Sequence, residues 1–338
     1  MRNILITGGC GFIGGHLVRR LLREKSNCKI SVIDYNLLDK NKNDNFHEKY
    51  NVKVVNRHNT KFVSKDNGNQ VFFYKVDIRN KASILKIFDS QRIDTCIHLA
   101  AKISVDDSLI NPDDTIDTNI KGTLNMLEAC SSNNVKNFVF ASSAAVYGKP
   151  KCLPIAEDYL AIDVLSPYGA SKIAAEALVS SYRNLKKIQK AVSLRFFNVY
   201  GENQSDEYAG VITKFAIRLS RGLPPIIYGD GKQTRDFIFI DDVVDAIMRS
   251  AEPSEGIMSS SNTFNVGTGI PTRIDDLARR MIRIFGLQLQ PIYRKGKKGD
   301  VIDSYADMTK SNMILKFTPH KGFEEGLREI VKSYSVKQ

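Results

Sequence analysis

A tyrosine and a lysine four residues apart, Tyr168 and Lys172, follow directly on Ser166-Pro167. Serine as N-cap and proline at the first helical position start a helix there. Residues four apart on that helix share one face, so the ammonium of Lys172 lies near the phenol of Tyr168. A neighbouring positive charge and the helix N-terminus both favour phenolate, drawing a pKa that starts near ~10 toward working pH. The same spacing also describes an ordinary surface pair, and context decides between the two. Upstream, Thr7-Gly8-Gly9-Cys10-Gly11-Phe12-Ile13-Gly14 joins an apolar run to a helical one. Gly8, Gly11 and Gly14 are spaced GxxGxxG, and Gly9, Gly11 and Gly14 satisfy GxGxxG. Glycines there make the tight turn, let the backbone approach a pyrophosphate and let the helix pack on the strand. Asp34 closes the second apolar run 20 residues after Gly14. A carboxylate at that place accepts from both ribose hydroxyls of an adenosine and repels a 2′-phosphate. Tyr35 and Asn36 bring no cation to counter it, which favours NAD over NADP. Downstream of this dinucleotide fingerprint, the tyrosine–lysine pair reads as chemistry.

A third feature is Phe140-Ala141-Ser142-Ser143-Ala144-Ala145-Val146-Tyr147-Gly148, at the end of the fifth predicted strand. Strand C-termini of an open parallel sheet face the ligand crevice, so a serine hydroxyl there points toward substrate rather than merely capping a turn.

The elements that must position these residues are legible. Apolar runs at 3–7, 29–34, 71–77, 95–99 and 137–141 read as buried strands, with helices between them at 13–24, 81–89, 114–131 and 168–185. That alternation predicts an α/β fold, a doubly wound parallel sheet of Rossmann type. Residues 37–70, rich in Asn, Lys and Asp, interrupt the rhythm and are expected as a surface excursion with a weak strand at 52–55. After a strand at 192–196 the pieces shorten: helices at 211–221, from 241, at 273–285 and at 323–334, with strands at 225–228, 237–240 and 263–266. They are expected to form a smaller C-terminal substrate-binding lobe. Residues 1–200 would then be the dinucleotide domain carrying Ser143, Tyr168 and Lys172, and 201–338 mainly the lobe, some of whose elements return to the main sheet.

Composition narrows the classes. A chain of 338 residues, 42% hydrophobic and 25% charged, is an ordinary soluble globular protein. Its net charge of +12 is spread along the chain; the densest run, 294–298, is too short to make a polyanion groove. Five widely separated cysteines without CxxC spacing read as reduced thiols, not as a disulfide framework or a metal site. Met1 leads straight into a strand with no leader segment, and no long apolar run follows, so a cytoplasmic protein without membrane contact is expected.

Together these residues resemble the extended short-chain dehydrogenases/reductases, in particular the NAD-dependent sugar-nucleotide epimerase/dehydratase family, and are most similar to its UDP-glucose 4-epimerases. The resemblance covers nearly the whole chain. Besides the motifs above it includes Asp77-Ile78, Leu99-Ala100-Ala101, Asn119-x-x-Gly122-Thr123 and Arg195-Phe196-Phe197-Asn198-Val199-Tyr200-Gly201. It continues through Gly229-Asp230-Gly231-x-x-x-Arg235-Asp236-Phe237 and Asn265-Val266-Gly267. It implies that Asp77 and Ile78 flank the adenine and that Leu99, Ala100 and Ala101 line the cofactor cleft. Phe12, Ile13, Asn119 and Ser142 join the cofactor-binding set. Ser143 would hydrogen-bond the sugar O4, Tyr168 would be the base, and Lys172 would bind the nicotinamide ribose while tuning the tyrosine. Asn198 and Arg235 would hold the diphosphate, a task suited to the arginine fork. Ser304 aligns with a wall of the sugar pocket, where a small residue leaves room for an N-acetyl group. A homodimer is implied as well, through helices 114–131 and 168–185 packing as a four-helix bundle.

One departure concerns the nucleotide. The family usually places an arginine three residues before the aspartate of a Gly-Asp pair. Gly299-Asp300 has Lys297 at that spacing and Arg294 three residues further back. Either Lys297 substitutes as a less directional charge, or the loop shifts so that Arg294 reaches in. The reaction implied is 4-epimerisation of a nucleotide-sugar: Tyr168 removes the O4 proton, the C4 hydride passes to NAD, the 4-keto sugar turns over and the hydride returns to its other face. The family's 4,6-dehydratases carry Asp-Glu where this chain has Ala144-Ala145, and methyl groups transfer no protons. A decarboxylase would need further groups to handle a carboxylate. A non-catalytic, RNA-binding descendant would have no physical need for Ser143, Tyr168 and Lys172.

Overall fold

The computed structural model describes residues 1–35, 52–56, 61–64, 68–159, 163–206, 208–252, 262–296 and 301–335. Chain contacts divide the molecule into two units. The first comprises Met1–Ser142, Ser166–Leu194 and Ile247–Thr263; the second comprises Ser143–Leu165, Arg195–Ala246 and Phe264–Gln338. The predicted boundary near 200 thus corresponds to one of several crossings. The crossings on either side of 143–165 carry no composition shift.

In the first unit, β1 (Asn3–Thr7) leads through the glycine turn into α1 (Phe12–Glu24), followed by β2 (Lys29–Asp34), β3 (Val52–Asn56), β4 (Lys61–Ser64) and β5 (Gln70–Lys75). Then come α2 (Lys81–Ser90), β6 (Thr95–His98), α3 (Val105–Ile110), α4 (Pro112–Ile116), α5 (Gly122–Ser132), β7 (Asn137–Ser143), α6 (Pro167–Asn184) and β8 (Lys190–Phe196). The strands run in the order β8-β7-β6-β1-β2-β5-β4-β3. Parallel pairing joins β7, β6, β1, β2 and β5 in register, for example Leu5↔Ser31 and Leu5↔Cys96. Strand order reverses between β1 and β6. Both run the same way and their successors leave in opposite directions, so a crevice opens at their carboxyl ends. Burial on both faces explains why these strands are continuous apolar runs rather than alternating ones. Leu5, Ile33, Ile84, Phe88, Met126, Leu127, Phe138 and Val179 form one core cluster.

Two differences from the expected elements have physical causes. The excursion after β2 contains a hairpin: β3 and β4 pair antiparallel, and β4 pairs antiparallel with β5, extending the sheet. The fifth predicted strand is accordingly β7. The single helix expected at 114–131 is α4, a wide π turn at Asp117–Lys121, then α5. The inserted turn holds Asn119, whose hydrogen-bond partners are described below. Inserted turns of this kind occur mostly at functional sites.

The second unit holds β9 (Asn198–Tyr200), α7 (Val211–Ser220), β10 (Ile226–Tyr228), β11 (Thr234–Phe239) and the start of α8 (Ile240–Ala251). After β12 (Thr263–Val266) come β13 (Pro271–Arg273), α9 (Ile274–Ile284), β14 (Ile292–Arg294), β15 (Asp303–Ser304) and α10 (Phe323–Ser335). Strand β11 is its organising element. Its first half pairs antiparallel with β13 and parallel with β15, and its second half pairs parallel with β9. Among the described residues no helix is long and apolar enough to cross a membrane, and all five cysteines are free.

Candidate active site

The glycine turn is built by close packing. Gly8 has φ +70°, and a Cβ there would stand 2.8 Å from Ala100 N, so only glycine fits. A Cβ on Gly14 would lie 2.2 Å from Gly8 O and 2.6 Å from Gly9 Cα: α1 rests directly on the turn. Gly11 is different. A Cβ there would meet only Gly8 O, at 3.2 Å, so the protein's own packing leaves this side of the backbone open. Here α1 begins with Phe12 and Ile13, with no side-chain cap and no acid in its first turn, and its N-terminal dipoles favour an anion. Asp34, at the end of β2, accepts a hydrogen bond from Cys10 N at 2.9 Å, which fixes the carboxylate against the turn. Burial, with Asp34 beside it, pushes the Cys10 thiol up and keeps it protonated. An open glycine backbone, an uncapped helix start and a fixed carboxylate at the next strand end fit a dinucleotide whose ribose is unphosphorylated.

The opposite side of the crevice is braced by polar side chains. Thr7 Oγ1 bonds His98 Nδ1 (2.6 Å) and accepts from Ala100 N (3.1 Å), while Leu99 N donates to Thr7 O (3.1 Å). The peptide Leu99-Ala100-Ala101 is thereby held half-buried beside β1. His98 Nε2 bonds Thr123 Oγ1 at 3.0 Å, and burial pushes the imidazole down to about 3, so it is neutral. Asn119 spans Lys102, accepting from its N–H (2.8 Å) and donating to its carbonyl (2.9 Å), and its other N–H reaches Ser171 Oγ at 2.9 Å. Asn119 therefore acts here as a brace between the strand-end loop and α6. Asp77 is gripped by Arg79 at 2.6–3.1 Å, and Arg79 also pairs with Asp114 at 2.9 Å. The Arg79 hydrogen bonds hold the Asp77 carboxyl below the usual range. Ile78 is buried against Gly122, where a Cβ would stand 2.5 Å from Ile78 Cδ1.

Helix α6 starts as its sequence dictates. Ser166 Oγ accepts from Gly169 N (3.1 Å) and Pro167 occupies the first turn. Tyr168 N donates to Ser108 Oγ (3.2 Å), and Tyr168 O accepts from Ser171 Oγ (2.7 Å). The ammonium of Lys172 stands 5.9 Å from the Tyr168 ring centroid and 4.8 Å from that of Phe140, and donates to Ala141 O at 2.8 Å. Only 3% of Lys172 is exposed, and burial pushes its pKa down to about 8 against the opposing pull of Glu176. Ser142 Oγ donates to Glu176 Oε1. Tyr168, Lys172 and Ser142 thus belong to the first unit. Ser143 belongs to the second, where its hydroxyl accepts from Ala145 N at 3.2 Å and caps the short turn Ala144–Tyr147.

In the second unit, β11 brings the expected substrate residues together. Arg235 and Ser304 are direct partners in the parallel β11–β15 ladder. Asn198, opposite Phe237, donates to Asp236 O at 3.1 Å. Arg235 Nη1 donates to Thr234 O (2.8 Å) and Ile302 O (3.4 Å), leaving the guanidinium half-buried. Beneath them the carboxylate of Asp236, fully buried, accepts from Thr268 N (2.8 Å), Thr268 Oγ1 (2.6 Å), Gly269 N (2.8 Å) and Ala306 N (3.1 Å). It ties the loop after β12 to the end of β15. Burial raises its pKa, opposed by those hydrogen bonds. Lys297 and Asp300 lie outside the described residues. Arg294 ends β14 beside Tyr228, and its carbonyl accepts from Gly229 N at 2.9 Å.

Sequence reasoning missed the supporting residues. Asn265 accepts from Tyr147 Oη at 2.5 Å and donates to Ile155 O and Asp307 O, work that a short Asn-Val-Gly motif does not announce. Glu176 was legible in principle, because it continues the four-residue spacing of Tyr168 and Lys172. His98 and Ser171 carry no such signal, and Thr123 entered only as the last residue of the Asn119-x-x-Gly122-Thr123 motif.

The model of a family described as the NAD dependent epimerase/dehydratase family matches residues 4–267. The UDP-glucose 4-epimerase of Mycolicibacterium smegmatis is 32% identical over 335 residues, covering 98% of each chain. Among solved structures, UDP-glucose 4-epimerase from Thermotoga maritima, determined with UDP-glucose, superposes with a TM-score of 0.84 at 32% identity and 99% coverage of both chains. UDP-N-acetylglucosamine 4-epimerase from Methanobrevibacter ruminantium M1, in complex with UDP-N-acetylmuramic acid, gives 0.83 at 32% identity, covering 100% of this chain and 99% of that one.

Proposed function

The chain belongs to the NAD dependent epimerase/dehydratase family, and from that premise we propose that it is a cytoplasmic enzyme that inverts C4 of a UDP-linked sugar. The observation that carries the reading is the start of α6, where a buried ammonium anchored on Ala141 O stands 5.9 Å from the ring of Tyr168. The glycine turn, Asp34 and the Leu99–Ala101 peptide hold NAD in the first unit. NAD, once bound, supplies at the sugar C4 the oxidation and the compensating reduction, so no net redox change results.

The protein's residues do the rest. Tyr168 takes the proton from the sugar O4 and gives it back after the sugar has presented its other face. The Lys172 cation stabilises the phenolate while Tyr168 is deprotonated. Ser143 holds the O4 hydroxyl. Asn198 and Arg235, drawn together by β11, grip the diphosphate, and the sugar stays loosely held so that both faces can be presented. The family resemblance would give Lys297 and Asp300, which lie outside the described residues, a part in holding the nucleotide. Ala144 and Ala145 bring no acid or base for dehydration. Ser304, the ladder partner of Arg235, leaves room for an acetamido group, so UDP-N-acetylglucosamine joins UDP-glucose and UDP-galactose as a substrate. A homodimer through the helices at 114–131 and 168–185 completes the assembly; Ile116, on the first of them, is 43% exposed.

The deciding experiment incubates purified protein with a panel of UDP- and dTDP-sugars and resolves products by stereochemistry, with Tyr168→Phe as control. Loss of a general base costs about 10²–10⁴-fold. Tyr168→Phe turning over sugar at the wild-type rate would sink the mechanism.

A further inference from the structure

The catalytic helix carries a buried charge that the mechanism above does not use. Glu176 lies four residues after Lys172, as Lys172 lies four after Tyr168, so the three form one row along α6. Glu176 is 9% exposed and Lys172 3%. Each reaches the end of β7 at adjacent residues: Lys172 Nζ donates to Ala141 O at 2.8 Å, and Glu176 Oε1 accepts from Ser142 Oγ. The two contacts together fix the rotation of α6 against β7.

The surroundings of Lys172 are otherwise poor in charge. Strand β7 offers the Phe140 ring at 4.8 Å and a carbonyl. Strand β6 offers His98, neutral and bonded at both nitrogens to threonine hydroxyls. The helix itself offers Tyr168 and Glu176. A lone ammonium in such a place is costly to keep charged, because desolvation disfavours the ionised form. The carboxylate that opposes the loss of the proton is Glu176.

We propose that Glu176 is a positioning residue of the active site: its carboxylate, tethered by Ser142, keeps Lys172 charged and directed at Tyr168. The working unit of α6 is then a row of three residues, Tyr168–Lys172–Glu176. This rests on the epimerase reading for its kinetic consequence, but the charge state of Lys172 is testable without it.

The test uses Glu176→Gln in the NAD-containing protein, because glutamine keeps the shape and an acceptor for Ser142 while deleting the charge. The first readout is the pH titration of the Lys172 ¹³Cε resonance in lysine-labelled protein, identified by its loss in Lys172→Arg. Removing an opposite charge at this spacing lowers an amine pKa by about one unit or more. The second readout is the pH profile of kcat with UDP-glucose or another sugar that the wild type turns over. Its alkaline limb, where Lys172 loses its proton, should move to lower pH by a similar amount while KM stays within about twofold.

An unmoved Lys172 titration in a folded Glu176→Gln protein overturns the proposal and leaves Glu176 a hydrogen-bond acceptor only. If that variant does not fold, Glu176→Asp decides: withdrawing the carboxylate by one methylene should lower the Lys172 pKa measurably, and no downward shift overturns the proposal. If the wild type turns over no UDP-sugar, the epimerase reading fails while the titration still decides the role of Glu176.

Discussion

Gly11→Ala separates what the glycine turn does for the fold from what it does for the cofactor. The backbone at Gly11, φ −74° and ψ −178°, is one that alanine adopts readily. The new methyl would meet a single protein atom, Gly8 O at 3.2 Å, a contact relieved by a few tenths of an ångström. At an N-cap, alanine is poorer than glycine by ~0.5–1 kcal/mol. Restricting the unfolded chain returns ~0.4–1 kcal/mol. The two nearly cancel, so the NAD-free variant should melt within about 2 °C of wild type. On the proposed placement of the pyrophosphate against the open side of this turn, the methyl should weaken NAD binding. Forcing one methyl into such a contact costs about 1–3 kcal/mol, or roughly 5- to 150-fold in Kd.

Gly14→Ala is the counterpart. Its Cβ would lie 2.2 Å from Gly8 O and 2.6 Å from Gly9 Cα, both backbone, and relief demands a displacement of about 1 Å of turn or helix to restore normal contact. That variant should lose thermal stability and NAD affinity together. Calorimetric titration of NAD into apoprotein, alongside thermal unfolding without NAD, measures both quantities. A Gly11→Ala protein that binds NAD within about threefold of wild type refutes the placement of the pyrophosphate against this turn.

Three further outcomes are expected. Asp34, held at 2.9 Å from Cys10 N, should make apoprotein bind NAD much more tightly than NADP, and comparable retention of the two would contradict its role at the ribose. Ser304→Tyr should suppress turnover of UDP-N-acetylglucosamine while sparing UDP-glucose, since the tyrosine excludes by size; equal loss of both would point to damage at Arg235, its ladder partner. His98 is buried and pushed down to about 3 from an ordinary 6.5. Its folded pKa is depressed, so its contribution is fully present above about pH 6.5 and is lost as pH falls toward 3, by ~1.4 kcal/mol per pH unit. Urea unfolding at about pH 7, 6 and 5 should therefore show a shallower acid loss in His98→Gln than in wild type, and parallel slopes would exclude His98 as the titrating group.

The parallel core of the first unit was legible because each strand is buried on both faces and bounded by glycine, aspartate or a helix cap. The observed β1, β2 and α1 match the apolar runs to within a residue. The hairpin at β3 and β4 was read as an excursion because its polar composition lacks the continuous apolar signature of a two-sided strand. The π turn was invisible because no spacing in the sequence marks it; in the structure it holds Asn119, which meets both Lys102 and Ser171.

What the sequence determined by itself was local chemistry. Tyr168 and Lys172 face the same way because four residues complete about one helical turn, and the turn after β1 is tight because it is made of glycine. Those are properties of short stretches of chain, and spacing alone expresses them. Tertiary structure decided everything that depends on residues far apart in sequence. Arg235 and Ser304 become neighbours through a strand register, Asn198 reaches the same strand from the other side, and Asp236 ties loops some 30 and 70 residues away. Lys172 is buried, and its pKa lowered, because α6 lies against β7, where Ala141 accepts from Lys172 and Ser142 donates to Glu176. No spacing rule carries that information, because burial and partnership are set by what the rest of the chain packs around a side chain.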